Sequence, residues 1–188
     1  MAIIALGTGS ERSSFCMSRL TPVLTADQIH QVVKSIAERI SRDFQGRELV
    51  LIGVLKGSFI FLSDLVRQLR IPVKVDFLQA RSYGSGTSSC GTVRLTKEID
   101  VAIRDKDVLL VEDIVDTGLT LNCLLGHLKG MGPRSVGVCA LIDKRERRAT
   151  DVPIAYAGHV TTEGFLVGYG LDYAEDYREL PGIFHLEL

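Results

Sequence analysis

Two hydrophobic periods alternate along the chain. Thr25-Ala26-Asp27-Gln28 has the form of a capping box, a hydroxyl and an amide side chain three positions apart. Ile29, Val32, Val33, Ile36, Ala37 and Ile40 follow at helical spacing and predict an amphipathic helix ending near Gly46. Leu49-Val50-Leu51-Ile52-Gly53-Val54-Leu55 is a continuous apolar run, the pattern of a strand covered on both faces in a parallel sheet. Ser58 is placed to cap a second helix carrying Phe61, Leu62, Leu65, Val66 and Leu69, with Pro72 enforcing its end. Val73 to Leu78 reads as a strand and Asp107 to Val111 as a buried one. Leu121, Leu124, Leu125 and Leu128 form one face of a third helix, with Gly130 near its end. Ser135 to Ile142 is again strand-like, and Ile154–Ala157 and Leu166–Tyr169 are shorter β-like runs.

This alternation predicts an α/β fold, a mainly parallel twisted sheet flanked by helices. Ligands in such sheets bind beyond the carboxyl ends of the strands. Two segments break the pattern. Residues 1 to 20 contain the loop-formers Gly7, Gly9, Ser10, Ser13 and Ser14 and read as a poorly ordered extension before a single domain over 21–188. Residues 80 to 92 are rich in Gly, Ser and Thr and read as a long loop, a length that in compact domains is usually functional or disordered.

Composition narrows the partners. With 188 residues the chain can bury a core without staples, and a net charge of −1 gives no bulk basic field for a nucleic-acid backbone. No apolar run reaches the length of a membrane span, and the apolar start Met1 to Leu6 lacks a basic leader region. Cys16, Cys90, Cys123 and Cys139 are scattered without ligand spacing, which argues against zinc. Cys123 and Cys139 sit in apolar patterns and read as buried thiols, which suits a reducing cytoplasm. His30, His127, His159 and His185 match no motif and are assigned no chemistry.

The most informative stretch is Val108-Leu109-Leu110-Val111-Glu112-Asp113-Ile114-Val115-Asp116-Thr117-Gly118-Leu119-Thr120. A buried strand runs into two adjacent acids, then a third acid, then Thr-Gly-x-Thr opening a helix. The first turn of a helix offers unpaired N–H groups and the positive end of its dipole, a natural phosphate site. Gly118 lets backbone approach the anion, and Thr117 and Thr120 add hydroxyl donors. Three carboxylates would repel a phosphate unless they face ribose hydroxyls, a hydrated Mg²⁺ or a proton in transfer.

Val111 to Thr120 resembles the signature of the phosphoribosyltransferases that binds 5-phosphoribosyl-1-pyrophosphate (PRPP), and is most similar to the hypoxanthine-guanine branch; the likeness extends from about Thr21 to about Pro181. The resemblance implies a core of about residues 45–160 with a small hood from the terminal segments. It also implies that Glu112 and Asp113 contact the ribose, that Asp116 to Thr120 (Asp116, Thr117, Gly118, Leu119, Thr120) hold the 5-phosphate, and that Asp116 is the acid or base at N7 of a purine. Leu55-Lys56-Gly57-Ser58 is similar to the family's pyrophosphate loop, in which the peptide before the lysine can be cis, and Arg178 matches the arginine beside it. Ser82-Tyr83 resembles the mobile lid, whose closing would keep water from the oxocarbenium-like centre at C1. In Ile142-Asp143-Lys144, Lys144 matches the lysine that donates to O6 of the base. In Phe165 to Tyr173, Phe165 corresponds to the stacking aromatic, Leu166 to the residue whose backbone meets the base edge, and Asp172 to a magnesium ligand, with Glu112 and Asp113 as further candidate metal contacts.

The resemblance therefore implies an Mg²⁺-dependent cytoplasmic transferase of purine salvage, acting on PRPP and a 6-oxopurine and assembled as a homodimer or homotetramer. Two alternatives stay open: a PRPP-sensing regulator that binds nucleic acid, and a transferase for xanthine or a pyrimidine. The near-neutral charge and the presence of Asp116, Lys144 and Phe165 speak against the regulator. Arg145, Arg147 and Arg148 are assigned to solvent or a subunit contact, and Tyr169 and Tyr173 to packing.

Overall fold

The computed structural model describes residues 19–82, 93–162 and 164–187. Its elements run β1 (Arg19–Leu24), α1 (Ala26–Asp43), β2 (Leu49–Leu55), α2 (Phe59–Gln68), β3 (Val73–Ser82), β4 (Val93–Lys97), β5 (Asp107–Val115), α3 (Leu119–Gly130), β6 (Ser135–Lys144), β7 (Tyr156–Thr161), β8 (Leu166–Val167) and β9 (Ile183–Glu187). The main sheet has the order β4-β3-β2-β5-β6-β7, parallel throughout except for the antiparallel edge strand β4.

Strand residues alternate between two covered faces. Leu49, Leu51, Leu109, Val111, Cys139 and Leu141 pack into a core with α1 and α2, through Ile29, Ile36, Ile40, Phe61 and Leu65. Val50, Ile52, Val108, Leu110, Val138 and Ala140 pack on the other side with Leu121, Leu124, Leu125 and Leu128 of α3. That double covering is why β2 and β5 read as unbroken apolar runs. Each fully buried aliphatic side chain contributes roughly 1.5–3 kcal/mol, so the sheet is a rigid platform for whatever its upper ends carry. The capping box forms as the sequence predicts: Gln28 N donates to Thr25 Oγ1 at 3.2 Å, and Thr25 N to Gln28 Oε1 at 2.8 Å.

A separate three-stranded sheet, β1-β9-β8, joins the two ends of the described chain into the hood that the resemblance implies. None of β1, β4 and β9 was legible as a strand. Each is short and paired antiparallel; β1 is mostly exposed and β9 mixes buried with part-exposed positions, so neither forms an apolar run. Of the predicted N-terminal extension only Arg19 and Leu20 lie within the described residues, and both belong to β1.

Other boundaries shift. β3 continues through Ser82, so the loop predicted from residue 80 starts later, and Tyr83 lies outside the described residues. β5 runs on to Val115 and carries the acid pair on the strand itself. β7 begins at Tyr156 instead of Ile154, and β8 is only two residues long. Ser58 precedes α2 but does not cap it; its hydroxyl turns back to donate to Val54 O at 2.7 Å. Cys139 is a buried free thiol as expected, whereas Cys123 is part-exposed and disulfide-bonded.

Candidate active site

The upper ends of β2 and β5 enclose a cavity of ≈ 300 Å³ lined in part by Gly57, Glu112, Asp113, Asp116, Thr117 and Thr120. β5 delivers the acids. Because side chains alternate along a strand, Glu112 and Asp113 leave it in different directions. Asp113 is almost buried and packs against Gly57, where a β-carbon would stand 1.9 Å from its Oδ2. Glu112 keeps part of its surface open to the cavity.

Both carboxyls are reluctant to ionise. Burial and the neighbouring Asp113 charge push Glu112 well above the usual carboxylate range. Burial also pushes Asp113 up to about 6, against the pull of backbone N–H donors and of Arg178. Asp172 is close enough to raise it further. Adjacent acids in a desolvated cleft accommodate hydroxyl donors or a cation, either of which stabilises the charged form.

After β5 the chain turns into α3 through Asp116-Thr117-Gly118. Gly118 has φ +79°, and a β-carbon there would meet Thr150 O at 2.6 Å, so glycine is required on two counts. The first helical hydrogen bond runs from Asn122 N to Gly118 O at 2.9 Å. Helix geometry therefore leaves the N–H groups of Leu119, Thr120 and Leu121 without helical acceptors, at the positive end of the α3 dipole. Asp116 Oδ1 is buried with no hydrogen-bond partner among the described residues, and its Oδ2 lies 3.7 Å from Arg147 Nη1. An unpaired carboxylate oxygen over this turn is available to take a proton or accept a ligand N–H.

A second cluster brings Lys56, Asp172, Glu175 and Arg178 together. The peptide between Leu55 and Lys56 is cis. Lys56 Nζ donates to Glu175 Oε2 at 2.8 Å. Arg178 Nη2 lies 2.9 Å from Asp172 Oδ1 and 3.4 Å from Glu175 Oε2, and its Nη1 donates to Gly170 O at 2.7 Å. The Lys56 hydrogen bond and charge hold the exposed Glu175 carboxyl below its ordinary range. Lys56 is exposed and Arg178 largely buried, and both pair with carboxylates that an incoming anion could replace.

Lys144 ends β6, buried, with Glu146 Oε2 3.6 Å from its Nζ. Phe165 is 44% exposed and meets Tyr173 edge-to-face, ring centroids 5.5 Å apart, next in sequence to buried Leu166. Tyr173, itself 42% exposed, packs against Phe165 as expected of a packing residue. Ser82 ends β3, where it pairs with Val93 of the edge strand β4.

Three placements depart from expectation. Arg148 is turned inward against the turn at Asp116 instead of facing solvent, and Arg147 approaches Asp116. Glu175 was not foreseen, because its partners come from sequence positions 119 and 3 residues away. Among the described residues no three His, Cys, Asp or Glu side chains are gathered to hold an ion by themselves. Asp113 and Asp172 are nonetheless neighbours with oxygen donors, which fits a hard cation that brings its remaining ligands with it.

An α/β sheet with a phosphate-type helix opening, a desolvated acid pair and a cationic rim defines an enzyme for a phosphorylated sugar substrate. The phosphoribosyl transferase domain model matches residues 23–174, and the chain belongs to that family of phosphoribosyltransferases. The chain is 46% identical over 154 residues to the hypoxanthine phosphoribosyltransferase of Salmonella typhimurium, covering 82% of this chain and 85% of the relative. It is 44% identical over 171 residues to the hypoxanthine-guanine phosphoribosyltransferase of Mycobacterium bovis, covering 88% and 85%. Among solved structures, a hypoxanthine-guanine phosphoribosyltransferase from Bacillus anthracis with HEPES in its active site superposes with a TM-score of 0.84 at 46% identity, covering 87% of this chain and 96% of that one. No helix among the described residues is long and apolar enough to cross a membrane.

Proposed function

We propose that this chain transfers the 5-phosphoribosyl group of PRPP to N9 of hypoxanthine or guanine, giving the nucleoside monophosphate and pyrophosphate. The observation that carries this reading is the juxtaposition, on one strand end, of the acid pair Glu112–Asp113 with the open first turn of α3. The similarity to hypoxanthine-guanine enzymes over more than four-fifths of the chain supports the same conclusion.

In this reading the N–H groups of Leu119 to Leu121 and the hydroxyls of Thr117 and Thr120 receive the 5-phosphate. Glu112 and Asp113 accept from the ribose hydroxyls. The base lies against Phe165 and Tyr173, beside the backbone of Leu166, with O6 accepting from Lys144. An ammonium favours an oxo group there and disfavours adenine, whose amino group is a donor. Cleavage of the C1–O bond sends its electron pair to pyrophosphate, which Lys56, the Gly57 N–H and Arg178 stabilise. N9 then bonds to C1, and the proton on N7 passes to Asp116 Oδ1, the oxygen left without a partner. Mg²⁺ bound with the pyrophosphate would neutralise leaving-group charge, with Asp172 and Asp113 as its protein contacts. Ser82 and Tyr83 belong to the segment that would close over the reacting centre. Most of the rate enhancement comes from positioning and fixed electrostatics. A homodimer or homotetramer in the cytoplasm completes the proposal.

A spectrophotometric assay with PRPP, Mg²⁺ and each of hypoxanthine, guanine, xanthine, adenine and uracil tests it. Turnover of hypoxanthine or guanine with adenine inert is expected. Inertness of both oxopurines would refute the assignment.

A further inference from the structure

Arg148 lies in the charged stretch Lys144-Arg145-Glu146-Arg147-Arg148, yet its side chain is only 18% exposed. Its Nε donates to Asp116 O at 2.9 Å. Its Nη2 is shared among Val115 O at 3.0 Å, Lys144 O at 3.1 Å and Asp143 Oδ1 at 2.5 Å. Asp143, itself buried, is held from its other oxygen by Arg145 Nε at 2.9 Å. One guanidinium thus touches the backbone on both sides of the site.

The location explains the need. The ladder between β5 and β6 ends at the pair Val115–Asp143. Beyond it the two strands part, β5 into the phosphate turn and β6 into the charged turn, so the ladder cannot serve the carbonyls of Asp116 and Lys144. Buried carbonyls require donors from somewhere. The planar guanidinium spans the fork with donors at fixed spacing, which an ammonium on a flexible stem cannot do. Neighbouring contacts tighten the same junction, since Ala149 N and Thr150 N both donate to Thr117 O, at 3.0 and 3.1 Å.

We propose that Arg148 is a positioning residue that fixes the separation between the 5-phosphate turn and Lys144, and thereby matches the site to the distance between the phosphate and O6 of one nucleotide. The inference rests on the transferase reading above. Arg148 contacts no substrate; it acts through the backbone of Asp116 and Lys144.

The test is a double-substitution cycle. Arg148→Lys is made in the unsubstituted enzyme and in Lys144→Ala, and KM for hypoxanthine and kcat are measured at saturating PRPP. Arg148→Lys is expected to raise KM for the base roughly tenfold in the first background and to change it little in the second, because the group being positioned is then missing. Equal fold-changes in both backgrounds would mean a merely structural residue and overturn the proposal. Should Arg148→Lys not fold, the unsubstituted protein still decides. With ¹⁵N-labelled arginine, the Nε–H of Arg148 is expected to resist solvent exchange and to be protected further by inosine monophosphate. Exchange unaffected by the nucleotide would equally overturn it. Turnover by the unsubstituted enzyme with no change on substitution removes the Arg148 role alone; no turnover by the unsubstituted enzyme removes the transferase reading and this role with it.

Discussion

The carboxylate of Asp113 rests on the α-carbon of Gly57, so closely that any side chain at residue 57 would occupy its place. The acid pair on β5 and the loop after β2 are therefore one packed unit, although 56 residues separate them in the chain. Gly57→Ala is expected to displace Asp113 and reduce kcat/KM for PRPP by at least about a hundredfold, since sub-ångström placement of reacting groups carries penalties of that order. The fold should survive, because Gly57 lies outside both hydrophobic cores. Steady-state kinetics alongside circular dichroism check this; unchanged kcat/KM would show that the contact is incidental.

Tyr169 ties the hood to the core by donating from its hydroxyl to Asp64 Oδ2 at 2.5 Å. The residue has φ +52° and is followed by Gly170, where a β-carbon would meet Gly57 O at 2.2 Å. The segment leading to Asp172 is thus locked onto α2 and the loop after β2. Burial, with Asp64 beside it, pushes the Tyr169 hydroxyl far above its ordinary range, so it stays a donor at any assay pH. Tyr169→Phe is expected to lower stability by about 1–3 kcal/mol and to raise KM for the base, with the same ratio to the unsubstituted enzyme at pH 6 and pH 9. A denaturant titration and a KM series at both pH values measure these effects.

Asp76 links the edge of the sheet to the segment after β4. Its carboxylate accepts from the backbone N–H of Phe77 at 2.7 Å, Asp100 at 2.6 Å and Val101 at 2.9 Å. Burial acts to raise its pKa, but these donors and Lys97 prevail and hold it below the ordinary 3.8. A depressed folded value contributes stability that is complete above the unfolded pKa and is lost as pH falls through the folded one. Stability should therefore decline from roughly pH 5 towards pH 3, and Asp76→Asn should flatten that decline while lowering stability at neutral pH. Urea midpoints across this range test it; parallel curves for the two proteins would remove Asp76 from the acid response.

Two substitutions separate the chemical roles. Asp116→Asn keeps size and polarity but cannot take the N7 proton, so kcat is expected to fall about 10²–10⁴-fold with PRPP affinity retained. Lys144→Ala should raise KM for the base more than KM for PRPP. Undiminished turnover in the first, or equal KM effects in the second, would contradict those assignments.

Much of this was legible in the sequence because it depends on local chemistry. The apolar runs of β2 and β5, the capping box at Thr25 and the acid–acid–turn signature at Glu112 to Thr120 each follow from neighbouring residues alone. What escaped notice depends on distant pairing. β1 and β9, from opposite ends of the chain, become strands by pairing in the β1-β9-β8 sheet, and Glu175 matters because Lys56 reaches it. Arg148 looked like one of several surface arginines, since nothing in the charged run reveals that a parting of strands next to it leaves carbonyls to be satisfied. Ser58 had the right identity for a helix cap, but its hydroxyl donates back to Val54 O instead of accepting from the first turn of α2.

The most direct measurement is a crystal structure of the enzyme with inosine or guanosine monophosphate. The 5-phosphate should lie on the N–H groups of Leu119 to Leu121, with the ribose hydroxyls toward Glu112 and Asp113 and O6 within hydrogen-bond distance of Lys144. A nucleotide bound elsewhere, with the turn at Asp116 to Thr120 vacant, would contradict the account.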